Sequence, residues 1–566
     1  MGSLGNAFRI SAVVGISNFR WVTPRESMKL SILADIKMYG RFLLGLPGFL
    51  RQTTSLEEAR AIVGQRLAQR EFNFLRLMEC GVFGYSRSPY LPLLKLAQVE
   101  LGDIRSMVRV KGLEATLRAL RDAGVYVSFE ESKGKKPIVR NGKVFPVRPE
   151  DFNNPYLTHY YHGESGGTGG AATRVAVDLD HLAALAVQFM LAFNAHGVLN
   201  LPTLIWRGML PDPSALNHLL WGARMGHVPE KWFSPTHSRQ FSKSLKNRLA
   251  TEYIVLAGRF FGFPIPYPEQ LNFAQAARVA HWAAEKVKSH GGCKIHTLVS
   301  TSLRVAVAAR QEGLDLTRAV FVTGGEPITA AKLRGISRSG ARLVPFYGFW
   351  EGGCVGVGCC RPGYVDDMHF LKDALALVQH PRKLPAVEIQ VDAFYFTTLL
   401  PAAPKLLLNV ESDDFGIFEA RSCGCPLEEY GFTQHLRHIR SFSKLTGDGV
   451  TLIGSQMIRI MEEVLPARFG GSPLDYQLVE EEDDSGFTRL SIVVDPKIEI
   501  ARERDVIESV LNALEQIADD KMPRIMWSQA EKLRVKRINP ILTDRGKMIP
   551  LRRLQHSKPS TDMAES

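Results

Sequence analysis

The stretch from residue 294 to residue 349, KIHTLVSTSLRVAVAARQEGLDLTRAVFVTGGEPITAAKLRGISRSGARLVPFYGF, decides the fold. It switches between two hydrophobic periods. Lys294–Ser300 and Ala341–Phe349 read as strands, and Ala319–Thr323 (AVFVT) as a short strand apolar on both faces. Between them, Leu303–Gly313 and Thr329–Arg338 carry apolar residues at helical spacing. Strands alternating with helices of this length predict α/β layers around a central sheet.

Working outward, the pattern changes beyond about residue 440. Asp475–Glu481 and Phe487–Val494 predict a hairpin around Asp484-Ser485-Gly486. A helix follows, with Val506, Ile507, Val510, Leu511, Leu514 and Ile517 on one face, and then a strand over Leu533–Ile541. On the N-terminal side, Leu56–Leu77 has helical periodicity and Gly142–Val147 reads as a strand. With 566 residues, the chain exceeds what one core usually serves. The expected fold class is α/β: a large multi-layer α/β domain over 91–439, a small α+β C-terminal lid over 440–555, a helical N-terminal extension over 1–90 and a disordered tail over 556–566.

Composition narrows the partners. Hydrophobic residues make up 45% and charged residues 23%, ordinary values for a folded chain. A net charge of +12 suits nucleotides or an acidic membrane surface as readily as it suits plain solvation. No basic stripe interleaved with aromatics is present, which argues against a nucleic-acid partner. No run of 18 apolar residues occurs. The basic, amphipathic segment Met28–Arg51 fits either a membrane surface or the flank of the main domain. Five of the seven cysteines fall in two tight clusters, Cys354/Cys359/Cys360 and Cys423/Cys425, unlike a disulfide framework. A reducing, cytoplasmic setting is expected.

Three glycine-bearing constellations carry candidate chemistry. Gly163–Gly170 (GESGGTGG) frees backbone to wrap a compact anion, with Ser165 and Thr168 as hydroxyl donors; it is neither a Walker A loop nor a dinucleotide fingerprint. Gly324-Gly325-Glu326-Pro327 follows the strand Ala319–Thr323, where open α/β sheets bind nucleotides. Tyr347-Gly348-Phe349-Trp350-Glu351 ends the next strand, offering an aromatic ring for a base and a carboxylate for Mg²⁺. Each one alone is also explained by an ordinary turn. A Gly-x-Ser-x-Gly elbow in strand–turn–helix context is missing, and packing explains His159, His162 and His181 as well as catalysis does.

In this order, these motifs resemble the adenylate-forming superfamily, most closely its phenylacetate–coenzyme A ligase-like branch. Ser165–Gly169 is similar to the family's phosphate loop, Gly324–Pro327 to its Gly-[Gly/Ala]-Glu-Pro motif, and Tyr347–Glu351 to its Tyr-Gly-x-[Thr/Ser]-Glu motif. Downstream, Ser412-Asp413-Asp414-Phe415-Gly416 resembles the ribose-binding aspartate motif, and Arg440 the arginine before the hinge. Thr543-Asp544-Arg545-Gly546-Lys547 resembles the C-terminal Gly-Lys motif. Trp350 stands where the family has a small hydroxyl residue, and Ser441-Phe442-Ser443-Lys444 lacks the acidic hinge pair.

The resemblance implies an AMP-forming ligase that adenylates a carboxylic acid with ATP and passes the acyl group to coenzyme A. It implies catalytic roles for Lys547, for Glu351 holding Mg²⁺ and for Thr168. Ser165, Gly166, Gly167 and Gly169 would meet the β- and γ-phosphates. Gly325, Glu326 and Tyr347 would hold adenine, with Gly324, Pro327 and Gly348 in the same nucleotide site, and Asp414 with Arg440 would hold the ribose. Transfer to an amine, a protein thiol or a carrier protein stays open, as does a nucleotide-binding protein without activity. Some relatives in this branch carry a zinc, so Cys354, Cys359, Cys360, His369, Cys423 and Cys425 supply candidate ligands, about four being needed. Val187–Met209 with Trp206, and Leu219–Trp232, would line an apolar acyl pocket or serve as core.

Overall fold

The computed structural model describes residues 38–164, 174–210, 212–235, 245–383, 390–441, 457–482, 488–517, 533–543 and 546–554. Among these, twelve strands make one mixed sheet. Its parallel half runs, from one edge, Pro268–Gln270, Lys231–Ser234, Thr203–Trp206, Cys293–Thr297 and Ala319–Thr323. Helical connections such as Val299–Gln311 and Ala330–Ser337 return the chain to the same end each time, as parallel pairing requires. The strand Ala319–Thr323 is buried at all five positions, so its continuous apolar run reflects cover on both faces.

The next strand, Arg342–Phe349, changes the direction of the sheet. Its first half, Arg342–Pro345, pairs parallel with Ala319–Thr323. Its second half, Phe346–Phe349, pairs antiparallel with Gly353–Gly358 after a tight turn. Gly353 has φ +89°, a left-handed conformation that costs a side-chain-bearing residue strain. The remaining strands, Met368–Phe370, Gln434–Ser441, Val410–Ala420, Gln390–Thr398 and Leu375–Lys383, continue antiparallel.

The helix Leu179–Ala195 (LDHLAALAVQFMLAFNA) is apolar on nearly every face because it is covered on nearly every face. The helical residues 38–50 and Leu56–Ala68 lie in the same core, through Phe42, Leu46, Ala59 and Val63. Arg66 pairs with the fully buried carboxylate of Asp373 at 3.4 Å, and Gln188 donates to that carboxylate at 2.7 Å. The described residues 38–68 thus pack into the core of the large unit. No helix among the described residues is long and apolar enough to cross a membrane.

A second, four-stranded sheet has the order Leu533–Arg537, Thr488–Val494, Tyr476–Glu482 and Leu551–Leu554. The expected antiparallel pair is present, Tyr476–Glu482 against Thr488–Val494, and Glu503–Ile517 is the expected helix. This sheet, its helix and residues from Met457 onward share their own core around Tyr476, Ile492 and Val506. The molecule is therefore a large α/β unit with a small α+β unit at its C-terminal side. Three details differ from the sequence reading. Residues 299–300 open the helix Val299–Gln311 instead of ending a strand, and Leu533–Arg537 stops short of Ile541. Leu551–Leu554 forms a fourth strand, parallel to Tyr476–Glu482, in a segment too short and basic to announce itself.

Candidate functional site

The strand Ala319–Thr323 ends at Gly324-Gly325 beside the strand in which the sheet reverses. Gly325 has φ +83°. Gly324 lies against the Phe346 ring, where an added Cβ would come within 2.5 Å. Both positions thus require glycine, one for conformation and one for space. The Glu326 carboxylate accepts from the Ser300 backbone N–H at 2.7 Å and from its hydroxyl at 2.8 Å. It ties the glycine turn to the start of the helix Val299–Gln311, a position that favours an anion. That contact anchors the carboxylate.

Tyr347 donates its phenol to Asp414 Oδ2 at 2.7 Å, and the Ser441 hydroxyl donates to Oδ1 at 2.5 Å. Asp414 and Ser441 are register partners on adjacent strands, so the sheet itself sets this triad. Burial and the Asp414 charge hold the Tyr347 phenol far above its usual range, so it remains a donor. Arg440, on the same strand as Ser441, reaches Asp366 at 3.4 Å. The sheet therefore gathers Tyr347, Asp414 and Ser441, while Arg440 reaches to Asp366 instead.

Glu351 follows directly, and its carboxylate forms an ion pair with Lys133. Burial would raise its pKa, but Lys133 and Lys405 outweigh burial and hold it low. Lys133 and Lys405 carry no signal in sequence, because each reaches Glu351 only through the fold.

From the small unit, Lys547 enters this region and donates to the Gly325 carbonyl at 3.0 Å. A tight turn aims it. Lys547 N–H donates to Thr543 Oγ1 at 3.0 Å, Gly546 N–H to the Thr543 carbonyl at 2.7 Å, and Gly546 has φ +75°. A Cβ at Gly546 would come to 1.8 Å from the Phe273 ring, so only glycine fits there. The neighbouring Met548 is buried in the large unit's core with Leu303 and Phe321.

Lys547, Gly324 and Gly325 border a cavity of about 170 Å³. Its walls are largely aromatic, with Phe189, Trp206, Trp221, Phe273, Phe346 and Trp350 among them. Buried Arg207, His181 and His218 and the Asp212 carboxylate also face it. Burial and the Arg207 charge push His218 down to about 3, and burial pushes His181 down to about 4, so both are neutral. Sequence reasoning named the surrounding apolar stretches but not Arg207, Asp212 or His218. The signal available was a charged Arg207 directly after the apolar run Thr203–Trp206.

A separate cluster lies on the antiparallel half. The thiols of Cys359, Cys423 and Cys425 and a ring nitrogen of His369 all fall within 4.8 Å of one another. His369 Nδ1 donates to the Phe432 carbonyl at 2.6 Å, which leaves Nε2 as the ligand atom, 3.6 Å from Cys423 Sγ. Backbone N–H groups of Arg361, Cys360 and Cys425 donate to the sulfurs of Cys359, Cys425 and Cys423 at 3.3, 3.3 and 3.4 Å. Three sulfurs and one imidazole nitrogen suit tetrahedral zinc. Of the six candidates, two stay out of this set. Cys360 lies beside the four-atom set, its N–H and its thiol both meeting the Cys425 sulfur, and the Cys354 thiol donates instead to the Tyr347 and Gly356 carbonyls.

Ser165, Gly166, Gly167, Thr168 and Gly169 lie outside the described residues, as do the segment after Ser441 and Asp544-Arg545.

No family model matches the chain, and no curated protein does. Solved structures similar to it include 2-hydroxyisobutyryl-CoA ligase with 2-HIB-AMP and CoA in the thioesterification state. That match has 15% identity and TM-score 0.40, over 89% of this chain and 91% of the other. An open conformation of the same ligase gives 14% identity and TM-score 0.45 over 83% and 93%. An anthranilate CoA ligase in complex with anthranoyl-AMP gives 11% identity and TM-score 0.40 over 77% and 74%.

Proposed function

We propose that this chain activates a carboxylic acid with ATP as an acyl adenylate and then transfers the acyl group to coenzyme A. The observation that carries the reading is the Lys547 ammonium, delivered by the small unit onto the Gly325 carbonyl at the border of an apolar cavity. A carboxylate is a poor electrophile, because its charge repels nucleophiles and oxide leaves badly. In the first step a carboxylate oxygen attacks the ATP α-phosphorus, and the bond from that phosphorus to pyrophosphate breaks. Negative charge accumulates between carboxylate and phosphate, where a positioned cation lowers the barrier. Lys547 is the group assigned to that task.

The nucleotide would run along the sheet reversal, past Gly324, Gly325 and Pro327, with adenine beside Tyr347 and Gly348 and ribose toward Asp414 and Arg440. Glu326 fixes the glycine turn. Ser165–Gly169, with Thr168, are assigned to the β- and γ-phosphates. Glu351 fits Mg²⁺ as a partly buried, ionised carboxylate, in exchange for its pair with Lys133; bound there, the ion would neutralise phosphate charge. In the second step the coenzyme A thiolate attacks the acyl carbon, the bond from that carbon to the bridging oxygen breaks, and AMP leaves with that oxygen. Zinc on Cys359, His369, Cys423 and Cys425 is assigned a structural role, pinning the strand after Glu351 to the loop before Gln434–Ser441.

Acid-dependent exchange of labelled pyrophosphate into ATP tests the first step across aliphatic, aromatic and amino acids. Exchange with one class, followed by acyl-CoA on adding coenzyme A, is the expected result. Tight ATP binding with no exchange across the panel would overturn the reading.

A further inference from the structure

Behind Lys547 the cavity wall carries polar atoms with no protein partner. Among the described residues, His218 Nε2, Trp221 Nε1 and Arg207 Nε are buried and unbonded, and all three side chains line the cavity. Their residues are 6%, 6% and 8% exposed. An unsatisfied buried polar atom keeps its full desolvation cost, so such a group in a cavity points to a ligand that completes it.

The hydrogen bonds fix what each atom offers. His218 Nδ1 lies 2.6 Å from the Ser214 carbonyl, which can only accept, so Nδ1 carries the proton. With the ring neutral, Nε2 presents a lone pair and must accept. Trp221 Nε1 carries a hydrogen and can only donate. The two rings are adjacent, with centroids 4.5 Å apart. A ligand group meeting both must donate and accept at one position, which a hydroxyl does. A carboxylate would set its lone pairs against that of His218, and the Arg207 charge is already countered by Asp212 and Glu326. An ammonium has no lone pair with which to accept from Trp221 Nε1.

The ligand's body follows from the other walls. Phe189 stacks on Trp221 at 4.4 Å with 20° between planes, and Phe346 meets Phe189 edge-on at 5.5 Å. Trp206, Phe273 and Trp350 complete an enclosure that favours a flat apolar ring. Phe346 packs against both Gly324 and His218, so the Lys547 end and the His218 end share one wall.

We propose that this cavity selects an aromatic carboxylic acid bearing a ring hydroxyl, which donates to His218 Nε2 and accepts from Trp221 Nε1. The carboxylate end of this assignment rests on the adenylation reading; the hydroxyl end rests on the cavity alone.

The test separates the two. Binding of hydroxylated, unsubstituted, carboxylated and amino-substituted aryl acids is measured by calorimetry on the full chain without ATP, and pyrophosphate exchange is measured in parallel. The hydroxylated acid should bind at least about tenfold tighter than the unsubstituted one, the loss expected when buried polar groups are left unpaired. In His218→Phe, which keeps a ring beside Trp221, that ratio should collapse toward one, and Trp221→Phe should reduce it independently. A ratio unchanged in both variants, or a preference for the unsubstituted, carboxylated or amino acid in the wild type, overturns the proposal. Hydroxyl preference without exchange would leave the cavity assignment standing and remove adenylation. Exchange without hydroxyl preference would do the reverse.

Discussion

Lys332 of the large unit and Glu462 of the small unit form an ion pair at 2.9 Å, with both side chains almost fully buried, at 2% and 1% exposure. The Thr329 hydroxyl also donates to Glu462. Lys332 sits one turn into the helix that follows Gly324–Pro327, so the pair fixes how the small unit stands over the glycine turn. Glu462→Gln should destabilise this arrangement by about 3–5 kcal/mol, since a buried ammonium is left without a counter-charge. The double replacement Lys332→Met with Glu462→Leu should recover most of that loss. Thermal unfolding checks both, and a harmless Glu462→Gln would show that the pair holds nothing.

Lys547 tests the two-step scheme. Its charge matters while negative charge builds between carboxylate and α-phosphate, and much less once the adenylate exists. Lys547→Ala should lower acid-dependent pyrophosphate exchange by about two to four powers of ten. The same variant, given synthetic acyl adenylate and coenzyme A, should still transfer at a substantial rate. Equal loss in both half-reactions would assign Lys547 to folding or general nucleotide binding.

Glu351 holds Lys133 and lies beside Lys405, so Glu351→Gln leaves two partly buried amines without their carboxylate. Its melting temperature should fall by several degrees without any nucleotide. Exchange should also drop by more than about tenfold if the carboxylate takes up Mg²⁺. Wild-type exchange would remove Glu351 from the site, and an unchanged melting temperature would remove the pair with Lys133.

Protein purified without chelator should contain close to one zinc per chain by elemental analysis. Cys425→Ser should lower both zinc content and melting temperature, whereas Cys354→Ser, outside the four-atom set, should keep the metal. Full stability in metal-free protein would sink the assignment.

Lys294 gives a pH signature. It is buried on the strand Cys293–Thr297 over the Phe193 ring, and burial pushes its pKa down to about 7. Between about pH 7 and its ordinary value near 10.5 the unfolded chain binds a proton that the folded chain does not. Stability from this group therefore rises with pH through that window and is lowest, and flat, below it. Lys294→Met should raise the melting temperature at pH 7, and the gain should shrink by pH 9.5. An equal gain at both values would mean that the amine is charged in the fold.

Local pattern made half of this molecule legible. Ala319–Thr323 reads as a covered strand because four consecutive apolar residues and a threonine leave no exposed face to give up, and Gly324-Gly325 marks its end because those positions need a positive φ and room for Phe346. The helices Val299–Gln311 and Glu503–Ile517 follow from short-range periodicity of the same kind. What the sequence could not determine is which distant residues meet. Lys547 and Gly325 are 222 positions apart, and only the docking of the small sheet brings them to 3.0 Å. The same holds for Cys359 with Cys423, for Glu351 with Lys133, and for the reversal of strand direction within Arg342–Phe349. His218 divides the same way: its tautomer is set by the Ser214 carbonyl one turn back in its own helix, whereas its neutrality comes from burial beside Arg207, which only the tertiary fold supplies.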